Sequence, residues 1–208
     1  MKKLLHIIAS PRGEDSRTLK VSGEFLEIFR QKYPGCLIDE LNVATEALPS
    51  LTVNMVYGKY VLLSGEELTE KLKEAWEPIV RHIERFLSVD AYLVSTPMWN
   101  FSIPYPLKQY IDLVVQPKYL FGYSKDGVEG LVKNKKMAVV TSRGGDYSPE
   151  GPSHAYDFQE PYLRAIFGFV GITDISFIHA QPMDMGPELS QERLKKAIIQ
   201  AKELAKAF

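Results

Sequence analysis

Residues 91–95 read AYLVS and residues 137–141 read MAVVT, and these two apolar runs decide the fold class. Each has the length of a β-strand without polar alternation. A strand covered on both faces needs apolar side chains in both directions, so such runs are typical of a parallel sheet between layers of helices. Three further strand candidates lie outward along the chain, at residues 4–9 (LLHIIA), 37–41 and 175–180 (ISFIHA).

Segments with helical periodicity separate these strand candidates. The chain therefore reads β-α-β-α-β-α-β-α-β-α, which is the alternation of an α/β fold. The first helix places Val21, Phe25 and Ile28 on one face, and the last helix begins near Leu189. Both are expected to cover the sheet.

The clearest helical pattern lies between the second and third strands. Ser64 and Glu67 have the spacing of a capping box at its start, and Pro78 is expected to bend it. Its predicted inward face consists of Leu68, Leu72, Ala75, Ile79, Ile83 and Leu87. Residues 43–64 show no clear periodicity, and the sequence leaves open whether they form a loop or are partly helical.

The composition fits one globular domain over residues 1–208, with 45% hydrophobic and 25% charged residues. A net charge of −1 supplies no broad cationic field, so we expect neither nucleic acid nor a membrane surface as partner. The single cysteine, Cys36, allows no internal disulfide or CxxC motif and suits the cytoplasm. We expect no targeting segment and no membrane span, since no apolar stretch approaches the ~18 residues that a span needs.

The segment after the first strand, residues 10–18 (SPRGEDSRT), has the character of a phosphate site. Ligands of open parallel sheets bind beyond the carboxyl ends of the strands. Hydroxyls at Ser10, Ser16 and Thr18, beside the N–H groups of a helix N-terminus, favour an anion. The alternative is that Ser16 or Asp15 merely caps the helix. Neither GxGxxG nor GxxxxGK[ST] occurs, which argues against dinucleotide-fingerprint and P-loop sites.

The segment after the third strand, residues 96–104 (TPMWNFSIP), carries large apolar side chains where polar loops are usual. This pattern predicts a slot for a flat aromatic ligand, with Asn100 available to its heteroatoms. The alternative is that Met98, Trp99 and Phe101 cover the end of the sheet or form a subunit contact.

The segment after the fourth strand, residues 142–147 (SRGGDY), contains the adjacent glycines Gly144 and Gly145. Glycines allow positive φ and close backbone approach, so N–H groups can point at the edge of a ligand. The alternative is an ordinary glycine turn. Each of the three segments is weak evidence alone, but their coincidence after strands one, three and four predicts a site for FMN.

Longer stretches of the sequence resemble the FMN-dependent NADH azoreductases and quinone reductases of bacteria. The similarity is strongest over residues 97–114 (PMWNFSIPYPLKQYIDLV) and 122–145, and it continues over residues 167–180 and 185–188. It covers nearly the whole chain. The resemblance implies a flavodoxin-like fold, a doubly wound five-stranded parallel sheet in the order 2-1-3-4-5 with helices on both faces.

The resemblance also implies where the cofactor lies. Phosphate and ribityl contacts fall after the first strand, ring contacts after the third, and pyrimidine-edge contacts after the fourth. The implied cofactor-binding residues are Ser10, Ser16, Arg17, Thr18, Pro97, Met98, Trp99, Asn100, Phe101, Ser142, Arg143, Gly144 and Gly145. Trp99 stands where many members have tyrosine, which bears on substrate range. Members are homodimers with active sites at the interface.

The expected activity is the reduction of quinones and azo compounds by NADH or NADPH through FMN. Hydride passes through flavin N5 in a ping-pong sequence, so no catalytic side chain and no metal is expected. Tyr119, Phe121, Tyr123 and residues 147–158 are expected to wall the substrate space.

The sequence disfavours an electron carrier and two kinds of hydrolase. A flavodoxin-type electron carrier would share the fold, but carriers use a strong acidic charge that this chain lacks. Residues 151–155 (GPSHA) come close to a serine-hydrolase elbow, but they lie in a proline-bracketed loop. A metal-dependent phosphodiesterase needs clustered ligands, whereas His6, His82, His154 and His179 lie far apart in the sequence.

Overall fold

The computed structural model describes residues 1–125 and 127–208. Over this part of the chain the strands are β1 (Lys3–Ile8), β2 (Leu37–Asn42), β3 (Ala91–Pro97), β4 (Phe121–Ser124), β5 (Gly127–Gly130), β6 (Lys136–Ser142) and β7 (Asp174–Ala180). The helices are α1 (Arg17–Lys32), α2 (Val53–Leu63), α3 (Glu70–Leu87), α4 (Tyr105–Val114), α5 (Glu160–Phe169) and α6 (Pro187–Ala207). None of the helices in these two ranges is both long and apolar enough to cross a membrane.

Five parallel strands form the central sheet in the order β2-β1-β3-β6-β7. Because β6 and β7 are the fourth and fifth parallel strands along the chain, the predicted order 2-1-3-4-5 is confirmed. The order reverses between β1 and β3, and a crevice opens at such a switch point beyond the carboxyl ends of the strands. There β3 and β6 end in register, with Pro97 opposite Ser142.

Helices cover both faces of this sheet, as predicted. In β3, Tyr92 and Val94 join the core under α2 to α5, while Ala91 and Leu93 join the core under α1 and α6. All four are buried, which explains why the strand carries no polar alternation. Removing such side chains from water supplies the main stabilisation of the fold, on the order of 1.5–3 kcal/mol for each large one.

The segment that lacked periodicity contains α2, and the helix after it starts later than predicted. Ser64 follows the last residue of α2, where its N–H group donates to the Tyr60 carbonyl at 3.0 Å, and α3 begins only at Glu70 after Thr69. The predicted capping box of Ser64 and Glu67 is therefore wrong. A serine accepts hydrogen bonds at a helix start and also fits a helix end, so local spacing could not separate the two roles.

The inward face of α3 differs from the prediction at three positions, since Leu68 lies before the start of the helix at Glu70 and is only partly buried. Leu72, Ile79 and Ile83 are buried as expected, but Trp76 and Phe86 are buried instead of Ala75 and Leu87, which are only partly buried. Trp76 sits against α2, where its Nε1 donates to the Met55 carbonyl at 3.0 Å. Packing against α2, which the sequence pattern did not reveal, thus turns a different face of α3 towards the core.

The β4–β5 hairpin was not predicted. Its strands are four residues each and mostly exposed, so they carry no apolar run that a sequence pattern could detect. The hairpin packs closely against the turn after α5. Gly130 allows this, because a Cβ at that position would lie 2.3 Å from the Gly171 nitrogen. The hairpin lies outside the central sheet.

Candidate functional site

A cleft opens at the carboxyl edge of the sheet where β1, β3 and β6 end, and we call it the rim cleft. The residues that line it are Ser10, Pro11, Arg12, Ser16, Arg17, Pro97, Met98, Trp99, Ser142, Arg143, Gly144, Met183 and Asp184. The parallel order brings the three segments singled out in the sequence to one place, as the strand-end rule requires.

The start of α1 forms one end of the cleft, which we call the hydroxyl end. The hydroxyl of buried Ser10 donates to Ser16 Oγ at 2.8 Å, and Ser16 Oγ accepts the Leu19 N–H at 3.2 Å. Ser16 therefore does cap α1. The N–H groups of Arg17 and Thr18 have no acceptor in the described part of the chain. Free N–H groups at a helix N-terminus attract an anion.

The Thr18 side chain does not line the cleft. It is fully buried, and its hydroxyl lies 2.8 Å from Ser142 Oγ. This contact ties α1 to the end of β6. Thr18 can thus serve an anion through its N–H group, while its hydroxyl fixes the two segments relative to each other.

Four residues of the cleft were absent from the predicted set: Pro11, Arg12, Met183 and Asp184. Asp184 accepts a hydrogen bond from Arg17 Nη1 at 2.6 Å across the mouth of the cleft. Met183 and Asp184 follow β7, so applying the strand-end rule to the fifth strand as well would have found them.

The aromatic segment after β3 forms a tight turn of residues 99–102, which we call the aromatic turn. Trp99 and Ser102 exchange two backbone hydrogen bonds of 2.9 Å. Between them Asn100 and Phe101 have φ of 46° and 71°, the left-handed region that a two-residue turn of this kind requires. Trp99 lines the rim cleft, whereas Asn100 and Phe101 do not.

On its far side the turn borders a second hollow that is largely apolar. Its lining residues are Trp99, Asn100, Ser102, Ile103, Tyr105, Lys108 and Tyr162. Trp99 lines both the rim cleft and this apolar hollow. The two depressions are therefore adjacent, with the Trp99 side chain between them.

Gly144 is needed for close approach and not for a positive φ. Gly144 and Gly145 both lie outside the left-handed region. A Cβ on Gly144 would lie 2.7 Å from Asp184 Oδ2, and the Gly144 carbonyl accepts the Met183 and Asp184 N–H groups at 3.0 Å. The N–H groups of Gly144 and Gly145 have no acceptor among the described residues.

The Arg143 guanidinium serves the loop that follows β6. It is fully buried, Nη1 pairs with Asp157 at 2.9 Å, and Nε donates to Gln159 at 3.1 Å. Gln159 in turn donates to the Pro97 carbonyl at 2.9 Å. Burial lowers the pKa of Arg143, while the charge of Asp157 opposes that shift. The side chain thus locks the loop against the ends of β3 and β6.

Two of the expected substrate-wall residues pack within this chain instead. Tyr119 stacks against Trp76, with ring centroids 6.3 Å apart, and Phe121 lies 4.8 Å from Phe169. Within the described residues, neither lines the rim cleft, and nor does the exposed Tyr123.

The residues considered for hydrolysis do not form a hydrolytic site. His154 begins a short 3-10 turn that no strand precedes, unlike a serine elbow. His179 bridges Thr141 Oγ1 at 2.8 Å and Glu160 at 2.7 Å, and this lowers the pKa of Glu160 to about 2. In the described ranges, no group of three or more His, Cys, Asp or Glu side chains is placed to hold a metal ion.

Comparison with known proteins settles the family. The model of the flavodoxin-like fold family matches residues 2–205. The chain belongs to this family. Within the family it is 36% identical to the FMN-dependent NADH:quinone oxidoreductase of Nitratidesulfovibrio vulgaris (strain DP4), covering 100% of both chains. It is 39% identical to FMN-dependent NADH:quinone oxidoreductase 2 of Trichormus variabilis, covering 97% of this chain and 98% of the relative.

Solved structures of the family show the same architecture. An azoreductase from Bacillus anthracis str. Sterne superposes with a TM-score of 0.90 at 29% identity, covering 100% of both chains. An FMN-dependent NADH-azoreductase from Bacillus anthracis str. Ames Ancestor, solved in complex with FMN, gives 0.87 at 28% identity over 99% of each chain. The resemblance seen in the sequence is confirmed.

Proposed function

We propose that this protein is an FMN-dependent oxidoreductase that passes hydride from NADH or NADPH to quinones and azo compounds. The observation that carries the proposal is that free N–H groups at the start of α1 and at Gly144 meet Trp99 of the aromatic turn in one cleft. Relatives named for this activity match the chain along its whole length, which makes the chain an enzyme of this oxidoreductase group.

The rim cleft fits the three parts of FMN. The phosphate suits the hydroxyl end, where the N–H groups of Arg17 and Thr18 are free and the Arg17 guanidinium adds a positive charge. The ring suits the apolar wall of Met98 and Trp99. The polar edge of the ring suits the free N–H groups beside Ser142, at Gly144 and Gly145.

When bound, FMN supplies hydride transfer through N5, so the chain itself needs no nucleophile. The residues of the rim cleft bind the cofactor, orient its ring and exclude water from one side. N–H groups at residues 144–145 stabilise negative charge that develops on the polar edge during reduction. With one side of the ring against Met98 and Trp99, only the other side would stay open, so donor and acceptor would use it in turn in a ping-pong sequence.

We also propose that residues 1–208 form a single FMN-binding domain. Two copies of the chain would form a cytoplasmic homodimer with the FMN sites at the interface. Large apolar side chains beside the aromatic turn support this, because Tyr105 and Phe158 remain exposed in the single chain. Light scattering is expected to give twice the chain mass of 23.6 kDa. A monomer at micromolar concentration contradicts the dimer proposal.

Steady-state kinetics of the FMN-loaded protein test the proposed activity. We expect NADH or NADPH alone to bleach the visible flavin band, and menadione or methyl red to restore it. Initial rates at several acceptor concentrations should give parallel double-reciprocal lines, whereas intersecting lines contradict the ping-pong sequence. A flavin that is reduced only when a separate reductase is added indicates an electron carrier instead.

A further inference from the structure

Tyr156 lies far from β3 in the sequence and yet stacks on the aromatic turn. Its ring centroid is 5.2 Å from that of Phe101, with 29° between the ring planes. Tyr156 is 55% exposed and Phe101 45% exposed, so the pair leaves ring surface open to a ligand. Phe101 does not itself line the rim cleft, but Trp99 in the same turn does, so the stacked rings lie beside the cleft. Exposed stacked rings are suited to binding another flat ring.

The conformation of Phe101 needs support from outside the turn. A φ of 71° is unusual for a residue with a bulky side chain. Two contacts from the loop after β6 supply that support: the stack with Tyr156, and the Phe158 N–H group, which donates to the Phe101 carbonyl at 3.0 Å. The loop therefore fixes the direction of the Phe101 ring.

The loop that carries Tyr156 is itself held in place. Asp157, the next residue, is paired with the buried Arg143 guanidinium, and its other oxygen accepts the Gln159 and Glu160 N–H groups at 3.0 and 3.1 Å. These bonds also fix the start of α5. Tyr156 thus stands on a rigid support, and a rigid aromatic surface binds with little loss of side-chain entropy.

We propose that Tyr156 determines acceptor specificity, by forming with Phe101 an aromatic surface that extends the wall begun by Trp99. The acceptors it favours are extended planar molecules, naphthoquinones and aryl azo compounds, over small single-ring quinones. This inference rests on the proposed function. A small quinone would reach only the ring of the cofactor, whereas an extended acceptor would project beyond that ring, past Trp99, towards Phe101 and Tyr156.

The test compares Tyr156→Ala with Tyr156→Phe in the FMN-loaded protein, using menadione, methyl red and benzoquinone as acceptors. One aromatic contact predicts that Tyr156→Ala raises KM for menadione and methyl red about five- to tenfold. KM for benzoquinone and for NADH and the Kd for FMN are expected to stay within about twofold. Tyr156→Phe keeps the ring and should behave as the unaltered protein. Tyr60→Ala, at a tyrosine of similar exposure on α2, is the matched control.

A second measurement does not depend on turnover. Calorimetry can measure the binding of anthraquinone sulfonate to the oxidised, FMN-loaded protein. We expect Tyr156→Ala to lose five- to tenfold in affinity, and Tyr156→Phe and Tyr60→Ala to keep the affinity of the unaltered protein.

The outcomes separate this inference from the function beneath it. An unaltered protein that reduces none of the three acceptors overturns both. Normal activity with an unchanged KM for menadione in Tyr156→Ala overturns only the role of Tyr156. If Tyr156→Ala raises KM for benzoquinone as much as KM for menadione, or weakens FMN binding, the residue has a structural role and the inference is likewise overturned.

Discussion

The two ends of the rim cleft are built in different ways. At the hydroxyl end, Ser10 and Ser16 are buried and short, and regular elements, β1 and α1, hold them. At the aromatic turn, Trp99 and Phe101 are large and exposed, and Phe101 takes its left-handed conformation with help from a distant loop. One end is specified locally and the other through long-range contacts.

This difference implies a division of tasks. Hydroxyl and N–H groups at a helix start bind a fixed charge with defined geometry, so they suit a resident cofactor. Stacking surfaces accept many flat molecules, because any aromatic ligand offers a face. We therefore expect changes at the hydroxyl end to alter cofactor affinity, and changes behind the aromatic turn to alter stability and acceptor choice.

The largest effect is expected where the aromatic turn is anchored. Arg143→Met should lower the free energy of unfolding by about 3 kcal/mol, because it leaves the carboxylate of Asp157 buried without its partner. Urea unfolding measures this. Arg164→Met removes an ion pair with Glu160 that is much more exposed, and should cost under about 1 kcal/mol. Equal losses in the two variants contradict the anchoring role.

A smaller but more selective effect is expected at the hydroxyl end. The double change Ser10→Ala with Ser16→Ala should weaken FMN binding roughly tenfold, because the Ser16 hydroxyl, which Ser10 orients, loses a hydrogen bond to a charged group worth about 1.5 kcal/mol. Riboflavin, which lacks the phosphate, should bind equally to both proteins. Fluorescence titration gives both constants.

The control for this double change must account for the helix cap that Ser16 provides. Thr52→Ala removes the cap of α2, where the hydroxyl accepts the Met55 N–H at 3.3 Å, at a similar cost in stability. It should leave FMN affinity unchanged. If Thr52→Ala weakens FMN binding as much, the loss reflects stability and the phosphate assignment fails.

The two ends also differ in how far sequence alone predicts them. Strands such as residues 91–95 and 137–141 were found because burial on both faces leaves an unmistakable apolar run. The hydroxyl end followed from the strand-end rule and helix capping, which are local. By contrast, the sequence left α2 undecided and gave no sign of the β4–β5 hairpin. Their stabilising contacts, such as that of Trp76 with Met55, come from elsewhere in the chain.

The roles of individual site residues show the same limit. The sequence places Arg143 and Thr18 at the ligand. Arg143 does line the rim cleft, but its guanidinium pairs with Asp157, and the Thr18 hydroxyl pairs with Ser142. Their partners lie 14 and 124 positions away. Local patterns predict which segments reach the site, but long-range partners decide which way each side chain turns.

Gly144 follows β6 and approaches the Asp184 carboxylate, which pairs with Arg17 at the hydroxyl end, so its substitution sharpens the comparison. Gly144→Ala should lower the free energy of unfolding by about 1 kcal/mol, because the new Cβ displaces the Asp184 carboxylate and disrupts its partly exposed pair with Arg17. In an Asp184→Ala background the cost should vanish, which a double-mutant cycle measures. A cost that persists there places the obstruction elsewhere.

The smallest effect concerns the support behind the aromatic turn and depends on pH. The hydrogen bond from His179, with a further bond from Arg164, lowers the pKa of Glu160 to about 2, against about 4.3 for an unfolded glutamate. A lowered carboxyl pKa stabilises the fold above the unfolded value, and that contribution is lost as pH falls towards 2. Since Glu160 is partly exposed, solvent screening limits it to about 1 kcal/mol.

Glu160→Gln should therefore lower Tm by about 2–4 °C at pH 7, and the difference from the unaltered protein should shrink between about pH 5 and pH 2. Thermal unfolding followed by circular dichroism measures it. Glu84→Gln, at an exposed position on α3, should give no pH-dependent difference. A Tm difference that stays constant from pH 7 to pH 2 would show that Glu160 stabilises the start of α5 through packing and not through its charge.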